Sequence, residues 1–213
     1  YMEKFVSIDK NVETILVVKK SKFIANMIKV DSVQMANNKL KEIKKKYYDA
    51  RHNCFAYRIF ENNNLIERFS DDGEPSGTAG SPMLNILQKN NLGNVLVVVT
   101  RYFGGILLGT GGLIRAYSDA TLDAISNINL VEYVLGLEIE VELEYEQFET
   151  FKYYCKKNDI NIGKVEYSEK IVCLINIEED KKDKLMNDYD TKNININNLK
   201  ILSKKYIEKS IIK

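Results

Sequence analysis

"NVLVVVTRYFGGILLGTGGLIRAYSDA", residues 94–120, is the stretch on which the fold turns. Its opening, "NVLVVVTRYF", is a continuous apolar run of strand length, which predicts a central strand buried on both faces. Its close continues as "GLIRAYSDATLDAISNI" at helical spacing. This predicts a helix that opens at Gly111 or Gly112 and buries Ile114, Tyr117, Thr121, Ile125 and Ile128. Between strand and helix lie Gly104, Gly105, Gly109, Gly111 and Gly112, flanked by Arg101 and Arg115. Glycine loses more backbone freedom on folding than any other residue, so such a cluster needs a physical reason.

Working outward, "ETILVVKKSKFIANMIKV" predicts two strands with a polar break at Lys19–Lys22. "DSVQMANNKLKEIKKKYY" predicts a helix with Asp31 or Ser32 as N-cap and Val33, Ala36, Leu40, Ile43 and Tyr47 on its apolar side. "NCFAYRIF" and "NLIERFS" flank "ENNN" as a hairpin, and "SPMLNILQKN" predicts a short helix capped by Ser81 with Pro82 at its first position. Beyond residue 134 the order is strand, helix, two strands, helix, strand, which is the ferredoxin-like βαββαβ pattern. The chain therefore divides into domains 1–134 and 135–213, each α+β.

The 213 residues carry a net charge of +1, which gives no global sign of nucleic-acid or membrane affinity. No run approaches a membrane helix, and "YMEKFVSIDK" lacks an apolar signal core, so a cytoplasmic protein is expected. Cys54, Cys155 and Cys173 lie far apart and predict reduced thiols rather than a disulfide framework or a zinc site. The average conceals an asymmetry. Every arginine (Arg51, Arg58, Arg68, Arg101, Arg115), the single His52, both prolines and nine of the eleven glycines lie between residues 51 and 115.

Within that window, a Gly-rich passage from strand to helix lets backbone N–H groups converge on an anion, aided by the helix dipole. A cation at Arg115, in the first helical turn, opposes the dipole unless an anion binds there. The alternative is an i,i+4 pair of Arg115 with Asp119 and glycines that serve only turns and packing. Neither GxxxxGK[ST] nor GxGxxG is present, which excludes the two familiar nucleotide loops. In "SDDGEPSGTAGSP", Asp71, Asp72 and Glu74 can hold a cation, clamp Arg101 and Arg115, supply a base, or simply build a turn. His52 and Cys54 share a strand face, as a nucleophile with its base would, or as ordinary hydrogen-bonding residues do. Lys39, Lys41, Lys44, Lys45 and Lys46, followed by Tyr47, Tyr48 and Arg51, form either a solvated face or a track for phosphates with aromatics for stacking.

"SKFIA", "HNCFAY", "DDGEPSGTAGSPML" and residues 94–120 together resemble the IMPACT family in its bacterial YigZ-like branch, across most of residues 12–130. The resemblance implies that the first domain is like the second domain of small-subunit ribosomal protein five. It implies that the second is like the last domain of elongation factor G. Eukaryotic members of that family are similar to translational regulators, and for bacterial members the resemblance implies binding to RNA or the translation apparatus. The expectation is therefore an RNA- or ribosome-associated protein that modulates translation, without metal or cofactor. It places a phosphate-like anion on Arg51, His52, Arg101, Gly104, Gly105, Gly109, Gly111, Gly112 and Arg115. The competing expectation is an enzyme acting on a small anionic phosphate or carboxylate in a cleft between residues 71–80 and 101–115. Asp71, Asp72, Glu74 and His52 are then its candidate catalytic groups.

Overall fold

A computed structural model describes residues 4–61 and 64–212. They form two compact units, residues 4–132 with 210–212, and Tyr133–Lys209. The division falls two residues before the boundary expected from the sequence.

The first unit opens with β1 (Lys4–Ile8), a short strand the sequence reading passes over, whose Phe5 and Ile8 are fully buried. The predicted strand pair follows as β2 (Val12–Val18) and β3 (Ser21–Lys29), in register with Val18 opposite Ser21. The two turn residues between them, Lys19 and Lys20, both have positive φ, 45° and 65°. That is the backbone twist a tight hairpin demands. Helix α1 (Val33–Lys46) is capped by Ser32, whose Oγ accepts the Met35 N–H at 3.2 Å. Ala36 and Ile43 are buried as the spacing predicts, with Val33, Leu40 and Tyr47 packed around them. Strands β4 (His52–Glu61) and β5 (Asn64–Ser70) form the predicted hairpin, though Asn62 and Asn63 of its turn lie outside the described residues. Then come α2 (Gly80–Lys89), β6 (Val95–Tyr102) and α3 (Gly109–Ser126).

The sheet runs β2-β3-β6-β4-β5 with every neighbouring pair antiparallel. Strand β6 is central, and its alternation explains the unbroken apolar run. Val95, Val97 and Val99 enter the core beneath α2 and α3, while Leu96 and Val98 enter the core beneath α1. Full burial of side chains this size is worth about 1.5–3 kcal/mol each, which makes β6 the energetic spine of the unit.

Two local expectations are corrected. Helix α3 begins at Gly109 rather than at Gly111 or Gly112, and it buries Leu113, Ala116, Tyr117, Ala120, Thr121 and Ala124. Ile114 is 39% exposed. The packed stripe sets three alanines around Leu113 and the fully buried Tyr117, so it follows position on the helix face and not side-chain size. Ser81 does not cap α2; the N-cap position is Ala79.

In the second unit the chain, entering along β7 (Leu130–Leu143), continues through α4 (Tyr145–Lys157), β8 (Asn161–Tyr167), β9 (Ile171–Glu178), α5 (Lys182–Asp190) and β10 (Asn198–Ile212). Its strands pair in the order β10-β7-β9-β8, within a five-stranded sheet that also includes β1 beside β7. Leu137, Ile139, Val141 and Leu143 of β7 pack with Phe148, Phe151 and Leu185 of the helices, whereas the intervening Glu138, Glu140 and Glu142 stay half-exposed. No helix among the described residues is long and apolar enough to cross a membrane.

Candidate functional site

Strand register gathers the unusual residues of the first unit at one end of its sheet. Val18 opposes Ser21, Lys22 opposes Tyr102, Arg101 lies between Phe23 and His52, and Phe55 opposes Ser70. The β2–β3 turn, the α1–β4 connection, the β5–α2 loop and the β6–α3 loop therefore meet there.

The interior of this end is a buried polar chain. Cys54 Sγ donates to the Tyr117 hydroxyl at 3.4 Å and to the Asp71 carbonyl at 2.9 Å. The Tyr117 hydroxyl donates to Glu74 Oε1 at 2.9 Å, and Arg101 Nη1 donates to the same oxygen at 2.7 Å. Arg101 Nη2 reaches Ser21 Oγ at 3.4 Å, and that oxygen also accepts the N–H of Gly104 at 3.2 Å. The guanidinium lies 5.5 Å from the Phe23 ring centre and 5.6 Å from that of Phe103. Burial pushes the Cys54 thiol up to about 12 and raises the Tyr117 phenol as well, so both stay protonated and neither is a nucleophile at neutral pH.

This chain changes the role of several predicted site residues. Arg101 and Glu74 are 6% and 8% exposed and spend their charges on each other, so Arg101 does not present its guanidinium to an external phosphate. The two groups that would face each other across a cleft between residues 71–80 and 101–115 are in contact and buried. Asp71 accepts the N–H groups of Gly77, Ala79 and Gly80 at 2.8–3.0 Å and so supplies the cap that α2 lacks locally. Asp72, at φ 44°, accepts the Asn53 N–H at 2.8 Å and the Lys44 ammonium at 2.7 Å. His52 lies on the same strand face as Cys54 but bonds elsewhere, with Nδ1 2.9 Å from the Asp72 carbonyl. A carbonyl only accepts, so Nδ1 is the donor in this contact. Among the described residues no cluster of three or more His, Cys, Asp or Glu is arranged to hold a metal ion.

The glycine loop is the outer wall. A Cβ at Gly104 would lie 2.0 Å from the Lys20 carbonyl carbon, so the loop is pressed against the β2–β3 turn, and Gly105 and Gly109 adopt positive φ. Gly111 has open space around it and Gly112 meets only the Leu108 side chain, so these two serve no comparable packing need. The N-cap Leu108 offers no side-chain acceptor, which leaves the first N–H groups of α3 uncapped. Arg115 is exposed in the first turns of α3, and among the described residues it has no ion-pair partner; the Asp119 pairing is not formed.

Electrostatically, exposed cations outnumber exposed acids at this end. Asp49 accepts the Tyr102 hydroxyl at 2.7 Å, and Asp71, Asp72 and Glu74 are bound as described. Lys19, Lys20, Lys22, Lys45, Arg51 and Arg115 are exposed and, among the described residues, unpaired. The lysines of the β2–β3 turn were missed as functional groups. Their signal was the hairpin register, which sets Lys22 beside Tyr102 on the strand that feeds the glycine loop.

Comparison with known proteins accords with this organisation. Residues 19–125 match the Impact N-terminal domain, and residues 141–188 match a domain of unknown function, DUF1949. The chain is similar to the IMPACT family member YvyE of Bacillus subtilis, at 40% identity over 77% of this chain and 75% of that protein. It is also similar to the IMPACT family member YigZ of Escherichia coli, at 39% identity over 61% of this chain and 64% of that one. A crystal structure described as that of a hypothetical protein superposes with a TM-score of 0.64 at 29% identity, covering 95% of this chain and 99% of the other. With residues 19–125, half of the chain, matched to the Impact N-terminal domain, and with a relative this similar over three quarters of its length, the chain belongs to the IMPACT family.

Proposed function

We propose that the loop end of the first unit binds the phosphate backbone of RNA, and that the protein acts in the cytoplasm on RNA or the ribosome to modulate translation. The observation that carries this reading is the charge census: Asp71, Asp72 and Glu74 are bound to partners within the fold and Asp49 and Asp119 stay exposed, against six cations, Lys19, Lys20, Lys22, Lys45, Arg51 and Arg115, that are exposed and, among the described residues, unpaired. The uncapped N-terminus of α3 adds oriented N–H groups beside Arg115. Gly105, Gly109, Gly111 and Gly112 line the anion side, while Arg101 and Gly104 hold the loop in place from beneath. The βαββαβ order and β10-β7-β9-β8 sheet support reading the second unit as a ferredoxin-like domain similar to the last domain of elongation factor G. The first unit is read as similar to the second domain of small-subunit ribosomal protein five, and the two units as the functional domains. Backbone contacts specify little sequence, so weak sequence preference is expected.

The test is filter binding of wild type and Arg115→Ala to ribosomes and a mixed RNA pool over a salt series. Affinity falls with salt, and the log–log slope of the variant is shallower by about one, as loss of one phosphate contact requires. Undetectable or salt-insensitive binding rejects the reading.

A further inference from the structure

The same sheet end has a second side, where α1 packs, and its residues differ in kind from those of the glycine loop. Alternation along β2, β3 and β6 puts Val17, Lys22 and Tyr102 in one cross-strand row on that side. Arg51 directly precedes His52, whose partner is Arg101, and so falls next to Tyr102 in the row. The hydrogen bond from Tyr102 to Asp49 draws the end of the α1 connection over the row and brings Tyr48 with it. Tyr48 is 85% exposed and Val17 is 64% exposed. Among the described residues, Tyr48 makes no hydrogen bond. The surface is thus a set of open aromatic and aliphatic side chains interleaved with unpaired cations and with one carboxylate, Asp49, which is held by the Tyr102 hydroxyl.

Resting on the RNA reading above, we infer that this side binds unpaired nucleotides, with bases stacked on Tyr48 and Tyr102 and the adjoining phosphates on Lys22 and Arg51. Cations alone serve any polyanion, whereas rings set between them also fit a ligand that carries flat faces between its charges. In an A-form duplex those faces are stacked inside the helix, so only a single strand, loop or bulge can offer them. The anchored hydroxyl of Tyr102 fixes its ring, whereas Tyr48 is free to follow a base.

The test compares a labelled mixed-sequence RNA single strand with the same strand annealed to its complement, using the full chain and its variants Tyr48→Ala, Tyr48→Phe and Arg115→Ala. Tyr48 is so exposed that its substitution does not threaten folding. Wild type binds the single strand more tightly than the duplex, and Tyr48→Ala loses roughly tenfold on the single strand only, the scale of one stacked base. Tyr48→Phe retains the affinity, and the salt slope of Tyr48→Ala matches wild type because no phosphate contact is lost. If Tyr48→Ala is unchanged on the single strand while Arg115→Ala weakens both ligands, stacking is rejected and phosphate binding stands. If polyglutamate of equal charge competes as well as the single strand, the surface reads charge alone and the inference is overturned. If wild type binds neither RNA, both readings fall.

Discussion

The central strands of the two units, β6 and β7, carry opposite patterns and the units handle charge in opposite ways. "VLVVV", residues 95–99 of β6, is apolar without interruption because helices cover both faces of its sheet. "LEIEVEL" alternates because one face packs on α4 and α5 and the other bears glutamates. In the second unit two of those glutamates are matched, Glu138 with Lys205 and Glu142 with Lys170, and on β9 Glu178 pairs with Lys209. In the first, Asp71, Asp72 and Glu74 are bound within the fold, while Lys19, Lys20, Lys22, Lys45, Arg51 and Arg115 are exposed and, among the described residues, unpaired. A whole-chain charge of +1 therefore describes neither unit.

The sharpest way to break this contrast is inside the first unit. Arg101→Ala leaves Glu74 buried without its partner, and about 3–5 kcal/mol of stability is lost, read by urea denaturation. A loss below about 1 kcal/mol would mean that the pair is not the internal tie described here. Next is Gly104→Ala, which drives a methyl into the Lys20 backbone and costs about 1–3 kcal/mol. Gly111→Ala, in open space within α3, instead gains about 0.5–1 kcal/mol. Equal effects at the two positions would erase the distinction between packed and open glycines.

The thiols provide a pH test common to both units. Burial pushes Cys54 and Cys155 up to about 12 and Cys173 up to about 11. Unfolded thiols ionise first, so the unfolded chain holds fewer protons than the folded one above about pH 9. Stability is therefore fully present below that pH and falls as pH rises toward 11–12, by about 1.4 kcal/mol per pH unit for each thiol at most. Urea melts of wild type and Cys54→Ala at pH 8 and pH 10 check this, the variant showing the shallower decline. The smallest effect belongs to the second unit, where Lys170→Ala breaks an exposed pair with Glu142 and changes stability by less than about 1 kcal/mol.

Much of this was legible in the sequence where the signal is local. Ser32 caps α1 from the adjacent position, and the apolar run of β6 declares burial on both sides. Where structure depends on distant partners the reading slipped. The cap of α2 comes from Asp71, nine residues before Gly80, so Ser81 looked like the natural choice. Leu113 and Ile114 are equally apolar, and only the closeness of α3 to the sheet decides that Leu113 goes inside. The carboxylates of "DDGEP" were recognised as possible clamps for Arg101 and Arg115. Only the fold shows that Glu74 takes Arg101 and leaves Arg115 outside. "KFVSI" is too short and too mixed to announce β1, although Phe5 and Ile8 end up fully buried.

The β2–β3 turn bears on how far this protein can be stabilised. Lys19 and Lys20 both occupy left-handed backbone conformations, which cost L-residues with a Cβ roughly 1–2 kcal/mol apiece and which Asn-Gly adopts with ease. A designer seeking only thermal resistance would replace them and succeed. The same edit would remove two positive charges from the rim where RNA is proposed to bind. On the proposed reading, conformational economy and ligand attraction compete at this single turn.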